Sequence, residues 1–455
     1  MNKWICAIAS GLILFSAGCM TGAAPGNDGG GSDDGGQDNV NNNGAGGSDD
    51  GNTSGGAEGG DSVNGLWRFD ARLEPFDPQF EDLYGDSVAA SDTTVLVGTG
   101  FKNALSGIVD IFISFGGEWR FDQRLVGGDA RFPEQNFGGA VAVGNNMAFV
   151  GASKFSIAGS FAIQTGAVYV FENLGTEWRQ AQLLTVPDAE DFELIGSALA
   201  FESNQSRLVA GAPGRDRNQG AAYVFARSGA QFSQQARLQA SDGINFEDFG
   251  AAVATENQTV IIGAPGQNFG TGAVYVFERD VDWVEAQKIL APDGDRTDKF
   301  GQALALEGNT LVIAAPSNKR PQDDLLQAGA VYIYSRSDGS WQLQQTLVPN
   351  DDLAGLFGLS LALEDGTLAI TAGGNQQVLF YEQQDGAWTQ VDFVEPQRES
   401  FVLDSFGNAI ALNGGTLVVG ARSADAGGSR AAGAAFIYSR SSDGGSGPPP
   451  GGVRF

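Results

Sequence analysis

The chain has 455 residues, a formal net charge of −29 and no histidine. Such an acidic balance argues against a nucleic-acid partner, which needs basic patches, and against direct contact with anionic lipid head groups. Without histidine, Ser-His-Asp and Cys-His catalytic sets and most zinc sites are excluded, so any catalysis would rest on carboxylates, Lys, Tyr or Ser.

The first element is an apolar leader. Lys3 precedes an apolar run from Trp4 to Phe15, and Ser16-Ala17-Gly18-Cys19 follows. This predicts a secretory signal peptide over residues 1–18. It resembles a bacterial lipobox with Cys19 as the lipid attachment site, and ordinary cleavage after small residues is the alternative. Met20 after the cysteine implies, by the same resemblance, sorting to the outer membrane, where a lipoprotein's several acyl chains hold firmly. Residues 19–65 are mostly Gly, Asp, Asn and Ser. That composition cannot bury enough surface to offset chain entropy, which predicts a disordered, self-repelling tether. Its Gly-Gly-x-Asp pieces suggest a calcium β-roll, but only Val40 offers the apolar residue each roll turn needs, and the tether reading is preferred. The only cysteines are Cys6 and Cys19, so the segment beyond them has no disulfide.

From residue 66 to 440 one four-part unit recurs seven times, at intervals of about 50 residues. One strand opens with an aromatic and carries an aliphatic residue six positions on: Trp67/Leu73, Trp119/Leu125, Trp178/Leu184, Phe232/Leu238, Trp283/Ile289, Trp341/Leu347 and Trp388/Val394. An Asp turn follows, and then an anchor: Tyr84-Gly85, Phe137-Gly138, Ile195-Gly196, Phe249-Gly250, Phe300-Gly301, Phe357-Gly358 and Phe406-Gly407. From the anchor, large residues (Phe249, Ala251, Val253) alternate with small ones (Gly250, Ala252, Ala254), which predicts a strand with both faces buried. A Gly/Ala face lets a neighbouring sheet approach closely, so this is read as the innermost strand of a blade. An aliphatic run ending in Gly-Ala-Pro or a relative comes next, as at 211–213 and 263–265, followed by GAVYVF or a variant at 166–171, 220–225, 272–277 and 329–334. Each segment is β-rich and bounded by turn residues.

The series starts with a lone fourth strand, Trp67 to Leu73, and its last unit stops after three strands near Tyr438. The counts match only if the N-terminal strand completes the last blade. The sequence therefore predicts an all-β, seven-bladed propeller of four-stranded antiparallel blades over 66–440, closed without an open sheet edge. Blade 6 is the weakest copy, since 371–381 lacks the Gly-Ala-Val start. The tail 441–455 is expected to be disordered.

These residues resemble the FG-GAP repeat, the unit of the integrin α-chain propeller and of many bacterial exported proteins, over about residues 67–440. The resemblance implies an extracellular recognition or adhesion module, and rarely catalysis. One departure matters. Where the integrin-type repeat has an Asp-rich calcium loop, this chain has tight turns such as Gly144-Asn145-Asn146, Glu256-Asn257-Gln258 and Glu307-Gly308-Asn309. None keeps the alternating oxygen ligands of a calcium loop, so no cofactor is expected.

An Asp recurs four residues after the fourth-strand aliphatic, at Asp77, Asp129, Asp188, Asp242, Asp293 and Asp351, with Arg398 in blade 6. Its regularity suggests an Asx-turn. A weaker alternative is cation attraction, densest at Asp293, Asp295 and Asp298. The links from strand four to one and from strand two to three are the long ones and share a face. Basic residues gather in the two-to-three links at Lys102, Lys154, Arg215, Arg217, Lys319, Arg320, Arg422 and Arg430. They suggest either ion pairing between adjacent loops or a recognition face, with Lys154, Arg215, Arg217, Lys319 and Arg320 as the candidate ligand-binding residues. The combined expectation is a monomeric, lipid-anchored propeller of the cell envelope that binds a protein or polysaccharide. A carboxylate-dependent polysaccharide enzyme and a purely structural envelope component are the alternatives.

Overall fold

The computed structural model describes residues 65–102, 106–128, 135–156, 163–319, 327–349, 355–396 and 404–441. The expected leader, Cys19, the tether and the tail beyond Ser441 lie outside them. The described residues form seven four-stranded antiparallel sheets arranged as a ring. Blade 1 runs from β2 (Ser87–Ser91) to β5 (Glu118–Leu125), and blade 2 from β6 (Phe137–Gly144) to β9 (Trp178–Leu184). Blade 3 runs from β10 (Ala198–Glu202) to β13 (Gln231–Leu238), and blade 4 from β14 (Ala252–Glu256) to β17 (Trp283–Ile289). Blade 5 spans β18 (Ala303–Glu307) to β21 (Ser340–Leu347) and blade 6 spans β22 (Phe357–Glu364) to β25 (Ala387–Val394). Blade 6 thus forms the same four strands despite its irregular sequence.

The seventh sheet has the order β1-β28-β27-β26. Here β1 (Trp67–Leu73), the first strand among the described residues, lies antiparallel to β28 (Ala434–Arg440), outside β27 (Thr416–Ala421) and β26 (Phe406–Asn413). Its pairing skips one residue between Phe69 and Ala71. The outer pair of every other blade skips one residue at the same place, as at Val224/Phe225 and Val276/Phe277. By that bulge, β1 is a fourth strand like the rest.

The first strand of each blade lies innermost, against the first strands of both neighbouring blades. The sequence reading of a strand alternating straight from the anchor needs one correction. Regular strand begins only after the anchor in blades 1, 3, 4 and 5, and in blades 2, 6 and 7 the ladder is broken just past it. The cause is the anchor glycine, which is left-handed; Gly250 has φ 95°. A β-carbon there would also sit 2.3 Å from the Ala221 carbonyl oxygen. Conformation as well as close packing therefore demands glycine.

Three recurring sets of side-chain bonds help to join neighbouring blades. On the outside, a Gln four residues after the strand-opening aromatic reaches across. Gln123 donates to Trp178 O (2.8 Å) and accepts from Trp178 N–H (2.7 Å). Gln182 does the same to Phe232, Gln287 to Trp341 and Gln345 to Trp388. Asp392 takes this place at the last seam and accepts from Leu66 N–H at 3.2 Å. On the inside, Glu202, Glu256, Glu307 and Glu364 end their inner strands and accept backbone N–H groups from the next blade's first turn. The donors are Asn257, Gly308, Asp365 with Gly366, and Gly414, at 2.6–3.1 Å. Between these layers, Arg227, Arg336 and Arg440 pair with Glu172, Glu278 and Glu382 of the preceding blade.

Trp67 links the closing strand to its neighbour. It is buried and stacks on Phe380 of blade 6, with ring centroids 4.5 Å apart and planes 12° apart. Trp67→Ala should cost about 3–5 kcal/mol in urea unfolding, because it leaves a cavity at the seam. A loss below about 1 kcal/mol would show that β1 does not hold the ring.

Candidate functional site

Two sets of links meet on one face of the ring: the entry loops, which lead from an outer strand to the next inner strand, and the loops between strands two and three. Backbone hydrogen bonds sew them together. Ile195 N–H donates to Thr165 O (3.0 Å), Glu247 N–H to Asn218 O (2.8 Å) and Lys299 N–H to Gly270 O (2.8 Å).

In four entry loops the recurring Asp is followed five residues on by a second acid that stands two before the anchor: Asp77/Asp82, Asp188/Glu193, Asp242/Glu247 and Asp293/Asp298. The second acid is buried, and its hydrogen bonds run back to the residue three earlier, not forward as in the expected Asx-turn. Asp82, Glu193 and Asp298 accept the N–H groups of Gln79, Glu190 and Asp295, each three residues earlier, at 2.7–2.8 Å. In blades 4 and 5 the first acid meets the tyrosine of the third strand, whereas in blade 3 Tyr223 donates to the second acid, Glu193. Tyr275 Oη donates to Asp242 (2.9 Å) and Tyr332 Oη to Asp293 (2.7 Å). That pairing was missed from the sequence, although both residues recur at fixed spacing.

Cations reach these acids from two places. From the loop, buried Lys102 donates to Asp82 (2.5 Å) and to the Asp77 carbonyl (2.6 Å). Buried Arg215 donates to Glu193 (2.8 Å), Glu190 (3.2 Å) and Tyr223 Oη (2.6 Å). From the outer strand, Arg124 holds Asp77 and Asp110, Arg237 holds Asp188, and Lys288 holds Asp242 (2.7 Å). The charge balance follows. Burial tends to raise Asp77, but Arg124 and Lys102 outweigh it and its carboxyl lies below the usual range. The Lys288 hydrogen bond lowers Asp242. Burial instead raises Glu247, whose Oε2 has no hydrogen-bond partner, and Asp298, where repulsion from Asp295 and Asp293 adds to it.

The candidate ligand-binding residues are thus not one cluster. Arg215 is locked in the interior, Lys154 is half-buried, and Arg217 and Lys319 are exposed. Arg320, like Asp129, Asp351 and Arg398, lies outside the described residues. Among the described residues no three acidic groups surround a point as a metal cage.

Arg217 lines a groove of about 770 Å³ with Ala189, Glu190, Asp191, Asp216, Gln219 and Asn245. The loops of this face expose phenylalanines that sequence reasoning passed over. Phe192 and Phe246 adjoin the groove's lining residues in sequence, and Phe269 takes in blade 4 the loop place of Arg217 in blade 3. All three are left-handed (φ 60°, 70° and 60°), an uncommon backbone state for a bulky side chain.

The fold defines the class: a seven-bladed β-propeller with a built-up loop face. The FG-GAP repeat family model matches residues 232–277, 283–334 and 402–438. These matches and the seven-bladed ring described above support an FG-GAP repeat β-propeller. No curated protein is similar enough to the chain to count as a match.

The native state holds a proton on Glu247 above the ordinary range for Glu, whereas the unfolded chain does not. Stability contributed there is present at low pH and is lost as pH rises through the raised value. Glu247→Gln removes that loss. The variant should therefore show a higher Tm than the wild type at pH 8 and a smaller difference at pH 4.5. An equal or lower Tm at pH 8 would overturn this account.

Proposed function

We propose that the chain is an exported, lipid-anchored binding module of the cell envelope, and that its loop face recognises a protein or a polysaccharide. FG-GAP repeats on a propeller suggest binding or adhesion. The observation that carries the assignment to this face is the groove at blade 3. Carboxylate, amide and guanidinium groups line it, and exposed phenylalanines stand on loops of the same face. Polar side chains with several hydrogen-bonding directions, together with flat apolar rings, suit a hydroxyl-rich or peptide surface. Strained, bulky left-handed residues are kept in exposed loops where recognition employs them. The leader motif and Cys19 support attachment to a membrane through lipid alone, with the Gly/Asp-rich segment as the spacer.

Arg217 is the informative position, because it is exposed and lines the groove whereas Arg215 is structural. Arg217→Glu should weaken binding to an array of bacterial surface polysaccharides, or to an envelope-protein fraction, by about tenfold or more while leaving Tm unchanged. Unaltered binding would move the contact surface elsewhere.

Anchoring has its own test. Cys19→Ala should shift the protein from the membrane to the soluble fraction on cell fractionation, and an unshifted distribution would refute lipid attachment.

A further inference from the structure

Blade 5 keeps the acids of the entry loop and lacks both cations that neutralise them elsewhere. Asn318 stands four residues after Ala314, the place that Lys102 holds after Gly98 and Arg215 after Gly211. Thr346 lies opposite Tyr332 in the outer strand pair. The equivalent positions are Arg124 opposite Asp110, Arg237 opposite Tyr223 and Lys288 opposite Tyr275. Blades 1 and 3 therefore have two cations, blade 4 has one, and blade 5 has neither.

The acid left behind is not exposed to water. Asp298 has 0% exposure. Its Oδ2 accepts from Asp295 N–H (2.7 Å) and Asn318 Nδ2 (3.1 Å), while its Oδ1 has no hydrogen-bond partner. Asn318 Nδ2 also lies 3.4 Å from Tyr332 Oη, which donates to Asp293. Asp293, Tyr332, Asn318 and Asp298 thus form one connected group at the positions of Asp188, Tyr223, Arg215 and Glu193 in blade 3, with the guanidinium replaced by a neutral amide and the tyrosine bonded to the first acid instead of the second.

We propose that the entry loop of blade 5 binds a hard divalent cation of the calcium class between Asp293 and Asp298, where blades 1 and 3 place their own charged side chains. The donors are all oxygens, the chemistry that such ions select. Asp298 Oδ1 and the Asp293 carboxylate supply the charge. The Asn318 amide, turned so that its oxygen faces the ion, and the Asp293 carbonyl supply neutral ligands. The corresponding Asp77 carbonyl accepts from Lys102 in blade 1. Water completes the shell. With only two carboxylates the site belongs to the weak range of about 10⁻⁴–10⁻³ M found in extracellular modules. This ion is separate from the groove, and the inference does not depend on what the groove binds.

The test uses the full chain with calcium and with terbium as the luminescent probe. Tyr332, hydrogen-bonded to Asp293, should sensitise terbium emission that calcium displaces. Calcium at about 10 mM should raise Tm by about 2–3 °C over chelator. Asn318→Lys supplies the ammonium of blade 1, and should match or exceed the wild-type Tm in chelator while losing the calcium response and the displaceable emission. Asp298→Asn should lose both signals, and it decides the matter should Asn318→Lys fold poorly. A wild type without a calcium response overturns the proposal. So does a response that survives unchanged in the variants, because it would place the ion elsewhere, for example in the Asp-rich segment 19–65.

Discussion

A ring of radial sheets is held closed by the bonds that run round it. Within a blade the backbone ladder satisfies itself; between blades there is no such ladder, only packing, side chains and the backbone bonds of the loop face. The Gln–aromatic latch answers this constraint on the outer edge. A side-chain amide presents one donor and one acceptor, as a peptide group does, and it pairs with both backbone groups of one residue in the next blade. The outer-strand bulge sits just before that Gln, since the skipped residues are Asp122, Ala181, Ala286 and Gln344. A bulge bends a strand and re-aims the side chain beside it, here toward the neighbouring blade. The inner glutamates are charged acceptors of backbone N–H groups, and such hydrogen bonds are worth about 1.5–3 kcal/mol each when well buried. The Arg–Glu pairs are half-exposed and contribute less. At the seam between blades 6 and 7, where the first and last parts of the chain meet, Asp392 and the Trp67–Phe380 stack take over the outer joint.

The ring was legible in the sequence because its signals are local and repeat. Alternation, turn residues and the aromatic-to-aliphatic interval each lie within one strand, and the unmatched strand at Trp67 fixed the closure by counting. The latches were written just as regularly: Gln123, Gln182, Gln287 and Gln345 each follow an aromatic by four. They went unread because their partners are backbone groups about 50 residues away, and backbone leaves no mark in composition. The anchor glycines were read for their size alone, since a left-handed φ is as invisible as a backbone partner.

The loop face was half legible for a related reason. Arg215 and Arg217 look alike in a polar loop, yet one is buried among Glu193, Glu190 and Tyr223 while the other lines the groove. Burial there is decided by an acid 22 residues earlier in the chain. The ion-pairing reading describes Lys102 and Arg215. The exposed residues that remain, such as Arg217 and the phenylalanines, owe their positions to that paired layer beneath them. A loop already tied down by buried acids loses little freedom when a partner arrives, which lowers the entropic cost of binding.

The same layer explains why blade 5 keeps acids without cations. The second acid of each pair has a task that no cation can perform: it accepts the N–H of the residue three earlier and so shapes the entry loop. Losing it would leave a buried donor unpaired, at about 1–3 kcal/mol. Losing the cation leaves the loop's shape intact and disturbs only its charge, which burial then expresses as a raised carboxyl at Asp298. Charge alone can be restored by a proton or by a dissolved ion, whereas a hydrogen-bond acceptor fixed at one point of the backbone cannot. The acids are therefore the invariant part of the loop and the cations the replaceable part. In Asn318 and Thr346 both replacements have fallen in one blade.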